Sequence, residues 1–182
     1  MAYIIDKYRN ISKNHLMKIL IAKINTNLRF IMNDFVFADL KSLSENDHKN
    51  IIKIDNDIPS EFDPAWKPND NDFARRLKFY QDLSETDFFK IVFHKNEIVG
   101  FYCIKASQVG SANVGMATTI WIHPAYRKEG LARQLFEMGI DWARSQNIEY
   151  LQSSVHLNNQ RSMELHFKSG FENYAVTLRL KI

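Results

Sequence analysis

Ile120-Trp121-Ile122-His123-Pro124-Ala125-Tyr126-Arg127-Lys128-Glu129-Gly130-Leu131-Ala132-Arg133 is an apolar, β-rich run that stops at a proline, loops through basic residues and glycine, and enters a helix. Gly130 and Ala132 clear side-chain bulk from the first helical turn, where backbone N–H groups have no partner within the helix. Such groups, helped by the helix dipole, attract anions. Arg127, Lys128 and Arg133 add mobile positive charge around the same turn, whereas the carboxylate of Glu129 has to turn to solvent. The stretch therefore reads as a strand-loop-helix unit that holds a phosphate group, and an elongated ligand carrying a pyrophosphate suits it.

Working outward, Arg127-x-x-Gly130-x-Ala132 is similar to the acyl-CoA pyrophosphate signature of the GNAT acetyltransferases, Arg/Gln-x-x-Gly-x-Gly/Ala. A second segment, Asn159-Gln160-Arg161-Ser162-Met163-Glu164-Leu165-His166-Phe167-Lys168-Ser169-Gly170-Phe171, resembles the later motif of that family, with asparagine opening a helix that closes in Lys-x-Gly-Phe. The resemblance covers roughly residues 35 to 182. It matches only in general layout between Asp55 and Phe88.

The resemblance implies an α/β (α+β) fold with a mixed, mostly antiparallel sheet of six to seven strands flanked by helices, and a V-shaped splay between the fourth and fifth strands. It also implies an acyl-CoA-dependent N-acyltransferase with acetyl-CoA as cosubstrate, no metal, and direct attack of an amine on the thioester. The cofactor-binding set is then Ile120, Trp121, Ile122, Arg127, Lys128, Glu129, Gly130, Leu131, Ala132, Arg133 and Asn159. Taken alone, Ile120 to Ile122 reads as a core strand, and Asn159 as an ordinary helix N-cap, a role compatible with binding. Seven residues after Asn159, where the family commonly has a tyrosine that protonates the departing thiolate, this chain has His166. Histidine can do that near neutral pH, so His166 is the candidate catalytic residue, with a structural role as the equal alternative. The glutamate that some members place five residues before the asparagine is Ser154 here, which leaves Glu61, Asp63, His123, His156 or a water relay as the base.

Between Asp55 and Asp72 six carboxylates face one base, Lys67. In the family layout this stretch borders the acceptor site. Glu61 and Asp63 are therefore candidate attractants for a small cationic amine, and Trp66 a candidate wall of its pocket, against the blander reading of a solvated loop. A peptide amine, at a protein N-terminus or lysine, is the second acceptor class. A non-catalytic acyl-CoA sensor or interaction module is the alternative in another class, motivated by the missing tyrosine and glutamate.

Composition bounds these readings. The chain has 182 residues, 45% hydrophobic and 13% aromatic, enough for one sizeable core and against general disorder. Residues 1–34 carry six bases and two acids, 35–87 seven and twelve, and 88–182 eleven and seven. The basic residues are not interleaved with aromatic platforms, and the acidic middle argues against a nucleic-acid partner. Lys18 and Lys23 interrupt the best N-terminal apolar run, so neither a membrane span nor a signal peptide is expected. The single cysteine, Cys103, lies in an apolar strand and reads as core in a reducing, cytoplasmic setting. Leu16, Leu20 and Ile24 stripe a helix in the extension 1–34, which packs on the domain 35–182 or on a dimer partner.

The remaining elements follow from periodicity. Strands are expected at Phe35–Leu40, Phe88–His94, Ile98–Ala106, Val114–His123, Tyr150–His156 and Phe171–Lys181, the last on alternating Tyr174, Val176, Leu178 and Leu180. Helices are expected after Ser44, over Asn71–Leu83 with Phe73, Leu77 and Tyr80 inward, along Leu131, Leu135, Met138 and Trp142, and over Asn159–Ser169.

Overall fold

The two hairpins at the centre of the sheet are set by residues that tolerate positive φ. Lys95 and Asn96 (φ 49° and 68°) form a two-residue turn between β2 (Phe88–His94) and β3 (Glu97–Val109). Gly110 (φ 63°) opens the next turn, from β3 into β4 (Ala112–Ile122). The computed structural model describes residues 34–178 and 180; the N-terminal helix expected along Leu16, Leu20 and Ile24 lies outside them.

With β1 (Phe35–Asp39) and β5 (Tyr150–Ser153), these strands form one sheet in the order β1-β2-β3-β4-β5. The β2/β3 and β3/β4 pairs are antiparallel, while β5 joins β4 in parallel after a helical crossover. The helices are α1 (Glu45–Asp57), α2 (Asp70–Gln81), α3 (Leu131–Ser145) and α4 (Gln160–Lys168). Ser44 and Asn69 start α1 and α2 with reciprocal capping boxes to Asp47 and Asp72.

Strand alternation sorts β3 between two cores. Phe101 and Cys103 face α1 and α2, packing with Ile51, Ile52, Tyr80, Phe89 and Ile91. On the opposite face Tyr102 stacks on Phe136 of α3, with ring centroids 5.1 Å apart. Gly139 lets α3 approach this closely: a Cβ there would meet Tyr102 Cε1 at 2.6 Å and Ile104 Cδ1 at 2.8 Å. Cys103 is the core residue its sequence context indicates, and burial pushes its thiol up to about 12.

Three expectations are corrected. Five strands form among the described residues, not six or seven, because the run from Phe171 onward makes no strand there. Tyr174, Val176, Leu178 and Leu180 are 81–88% exposed, so their alternation meets no packing surface. The strand expected at Tyr150–His156 ends at Ser153, where its pairing with β4 stops. On α2 only Tyr80 of the predicted face is buried; Phe73 and Leu77 are exposed, and Arg76 turns inward instead to meet Asp55 of α1.

Candidate active site

The ladder between β4 and β5 spans only Val114–Ala117 against Tyr150–Ser153, after which β4 continues alone to Ile122. At that point β4 carries a bulge. Cys103 pairs with Thr119 and Ile104 with Ala117, leaving Thr118 extra, its hydroxyl donating to the Cys103 carbonyl at 3.3 Å. A bulge bends and twists its strand, which separates β4 from β5 and opens the expected V-shaped splay.

Alternation along β4 decides which backbone groups line the gap. The N–H of His123 donates to Val99 at 2.8 Å, so Trp121, two residues earlier, also turns toward β3. Ile120 and Ile122 then turn their amide groups outward, and the Ile122 carbonyl indeed accepts from Arg127 Nε at 2.9 Å. Of the three residues expected to offer backbone groups to a ligand, Ile120 and Ile122 face the opening. Trp121 packs on Phe101 and His123.

The loop beyond β4 leaves the first amides of α3 open. Lys128 and Gly130 take positive φ (73° and 79°), and Gly130 sits at the N-cap of α3 with no side chain accepting from the helix. The N–H groups of Leu131, Ala132 and Arg133 therefore have no acceptor among the described residues. Arg127 is not mobile as expected. Its guanidinium forms a two-pronged pair with Glu61 (2.9 and 2.7 Å) and is anchored to Ile122, while Arg133 pairs with Glu137 one turn along α3.

Under the splay lies a cavity of about 170 Å³ that reaches both faces of the sheet. It brings together Ile120, Asn159 and His166 from the predicted set, along with His156 from the candidate bases. The side chain of Asn159 accepts from Ser162 N–H as the N-cap of α4, and the Asn158 amide ties the same corner to the Phe62 carbonyl. Glu61, Asp63 and Trp66 do not line the cavity. Glu61 is held by Arg127, Asp63 accepts from Ala65 N–H, and Trp66 donates its indole N–H to the Asn56 carbonyl, folding back on α1. Phe62, between Glu61 and Asp63, does line it, its ring tilted 35° to that of His156 with centroids 5.1 Å apart.

Sequence reasoning missed several polar lining residues, among them Asp55, Arg76, Thr119, Tyr102 and Ser153. Asp55, 4% exposed, pairs with Arg76 and accepts from Thr119 at 2.9 Å, a bridge from α1 to both α2 and β4. The signal was available: Asp55 falls four residues after Ile51 on the apolar stripe of α1, where an unpaired carboxylate is prohibitively costly. Tyr102 is another. It is buried, and its hydroxyl has no partner among the described residues although the residue borders the cavity. Ser153, the last residue of β5, lines the cavity as well.

His166 is 5% exposed, wedged edge-on between Phe136 and Phe171 (both 4.9 Å). Its Nδ1 lies 2.7 Å from the Ser162 carbonyl, which can only accept, so Nδ1 carries the proton. Nε2 is then a bare acceptor, and the Ser153 hydroxyl donates to it at 2.9 Å. Burial holds the imidazole below its ordinary value of 6.5, opposed in part by the Ser162 carbonyl, so the ring is neutral at pH 7.

Comparison with known proteins agrees with this geometry. The model of the Acetyltransferase (GNAT) family matches residues 52–171, more than half of the chain. Among solved structures, a putative acetyltransferase from Pyrococcus furiosus superposes with a TM-score of 0.65 at 16% identity, covering 81% of this chain and 99% of the other. A predicted acetyltransferase from Clostridium acetobutylicum, crystallised with acetyl-CoA, gives 0.64 at 17% identity over 81% and 94% of the two chains. An aminoglycoside acetyltransferase from an uncultured soil metagenomic sample gives 0.61 at 13% identity over 84% and 99%. No curated protein sequence matches. With a splayed β4/β5 pair, an open-amide loop entering α3 and a family match that spans both, the chain belongs to the GNAT acetyltransferase family.

Proposed function

We propose that this acetyltransferase moves the acetyl group of acetyl-CoA onto the primary amine of a small cationic molecule by direct attack, within a transferase domain covering residues 35–182. The observation that carries the reading is the loop Arg127–Arg133, whose first helical N–H groups have no acceptor among the described residues and sit at the end of the splayed strand. The diphosphate would lie on those amides, with Lys128 nearby, and the pantetheine arm along the outward groups of Ile120 and Ile122 beside Asn159. A backbone N–H in the gap can stabilise the developing oxyanion, and holding amine and thioester together supplies much of the rate. His166 is the proposed source of the thiolate's proton.

The small, partly enclosed cavity favours a small acceptor over a protein segment. Its cationic class rests on the acidic stretch 55–72, where six carboxylates meet the single base Lys67 and three of them, Asp55, Glu61 and Asp72, pair with Arg76, Arg127 and Arg75. Thermal denaturation with acetyl-CoA tests the donor. Saturation at about 100 times Kd stabilises the fold by about 2.7 kcal/mol, and no shift at millimolar acetyl-CoA refutes the reading. Thiol release across a panel of amines then tests the acceptor; release with peptides alone would replace the small amine by a protein one. Charge reversal of Asp63 alone is expected to raise the acceptor KM through the field of the stretch, and an unchanged KM removes it from acceptor recognition.

A further inference from the structure

The proton that leaves the attacking amine needs a destination, and the departing thiolate needs a source. The family's glutamate is absent, and the carboxylate that does line the cavity, Asp55, is already held by Arg76 and Thr119. At the fork of β4 and β5 the cavity is lined by Ser153 and His166, and the Ser153 hydroxyl donates to the bare Nε2 of the ring at 2.9 Å. The other nitrogen of the ring is fixed by the Ser162 carbonyl, so the imidazole cannot swap tautomers without breaking a 2.7 Å bond. This is a hydroxyl, a base and an orienting acceptor in series, the arrangement that moves protons through serine.

We infer that Ser153 and His166 form a two-member proton relay serving first as the base and then as the acid of acetyl transfer. The inference rests on the proposed transferase reading and adds the catalytic role of Ser153, with His166 acting through it. In the forward direction the neutral amine nitrogen bonds to the acetyl carbon, and its surplus proton passes to Ser153 Oγ as the Ser153 proton passes to His166 Nε2. The C–S bond breaks with its electron pair staying on sulfur. The imidazolium then returns its proton to Ser153 Oγ, and Ser153 releases one to the thiolate. One proton leaves nitrogen and one reaches sulfur, so the pair ends as it began.

The surroundings suit a transient charge carrier that rests neutral. Facing the ring are Ser153 from β5, Ser162 from its own helix, Phe136 from α3 and Phe171 from the segment after α4. No charged side chain bonds it among the described residues. The titratable groups sharing the cavity are Asp55 and Arg76, engaged with each other, together with Tyr102 and His156. Burial keeps the resting imidazole uncharged at neutral pH, which leaves it able to accept.

The resting arrangement is tested first on the whole chain by ¹⁵N spectra of the histidine rings. His166 is expected with its proton on Nδ1, and a proton on Nε2 overturns the relay. Turnover is then followed with acetyl-CoA and excess 1,4-diaminobutane as the probe acceptor. Ser153→Ala is expected to lower kcat by about 100-fold or more, and Ser153→Thr, which keeps the hydroxyl, to recover most of it. As pH falls through the lowered pKa of His166, the wild-type log rate gains one extra unit of slope from protonation of the ring, and both Ser153→Ala and His166→Gln lose that unit. A Ser153→Ala enzyme within twofold of wild type, with the same slope, overturns the relay. Thermal stabilisation by acetyl-CoA, unchanged in Ser153→Ala, separates this from the transferase reading: if the wild type itself shows none, that reading fails and the relay with it. If acetyl-CoA binds but 1,4-diaminobutane is not acetylated, the tautomer alone decides.

Discussion

Cutting the Asp55–Arg76 pair from either side should give unequal losses, and the inequality follows from where each partner sits. The Asp55 side chain is 5% exposed, and that of Arg76 20%. Removing Arg76 leaves a carboxylate with almost no route to water and only the Thr119 hydroxyl as a donor. Breaking a buried pair in this way costs about 3–5 kcal/mol, so Arg76→Met should destabilise by about 3 kcal/mol or more. Some relief comes from deleting Arg76 Nε, which is buried with no partner among the described residues. Asp55→Asn keeps the shape and can still accept from Thr119, and the stranded guanidinium has some access to solvent. Its loss should be smaller, about 2 kcal/mol. The double variant strands neither charge, so its loss should fall short of the sum by about 2 kcal/mol of coupling. Urea unfolding of the four proteins, with the m-value checked for constancy, reads all three quantities. Additive losses, or an Arg76→Met cost under about 1 kcal/mol, would show that the pair is hydrated and that α1 and α2 are not locked at the cavity by charge.

Gly130→Ala places a Cβ in open space but in a left-handed backbone (φ 79°), so urea unfolding should show a loss of about 1–2 kcal/mol from backbone strain alone. Its acetyl-CoA Kd, measured by calorimetry, should rise; an unchanged Kd separates the turn from the diphosphate. Gly139→Ala drives a methyl against Tyr102 and Ile104, and thermal melts should show about 1–3 kcal/mol of overpacking. Because the buried imidazole of His166 has a folded-state pKa below 6.5, the unfolded chain binds more protons in the interval between the two values. Its contribution to stability is thus complete above pH 6.5 and is lost as pH falls through the folded-state value. Urea titrations of wild type against His166→Gln should show that acid-side slope only in the wild type. Glu61→Gln removes a partly exposed pair, and its stability cost should stay under about 1 kcal/mol.

The open-amide loop was legible in the sequence because everything it needs is local. Pro124 ends a strand, Gly130 permits the left-handed step, and α3 begins at Leu131, all within one stretch. The same locality made Ser44 and Asn159 readable as caps, since a side chain three residues from its acceptor needs no tertiary contact to find it. The strand expected from Phe171 is missing among the described residues for the complementary reason. Alternation gives a strand two faces, but only a neighbouring strand satisfies its backbone, and β5 pairs over just four residues before leaving the sheet.

The chemistry of the cavity belongs to the tertiary structure. Asp55 and Thr119 are 64 residues apart, Arg127 and Glu61 66, and each pair exists only because α1 and its following turn fold across β4. A glutamate that looked like part of an acceptor field is spent on anchoring the loop that enters α3, and an arginine predicted to be mobile is fixed by it. His166 was visible as a histidine in a motif, whereas the direction of its lone pair was not: a residue type sets which protons can move, and only packing against Ser153 and Ser162 sets where.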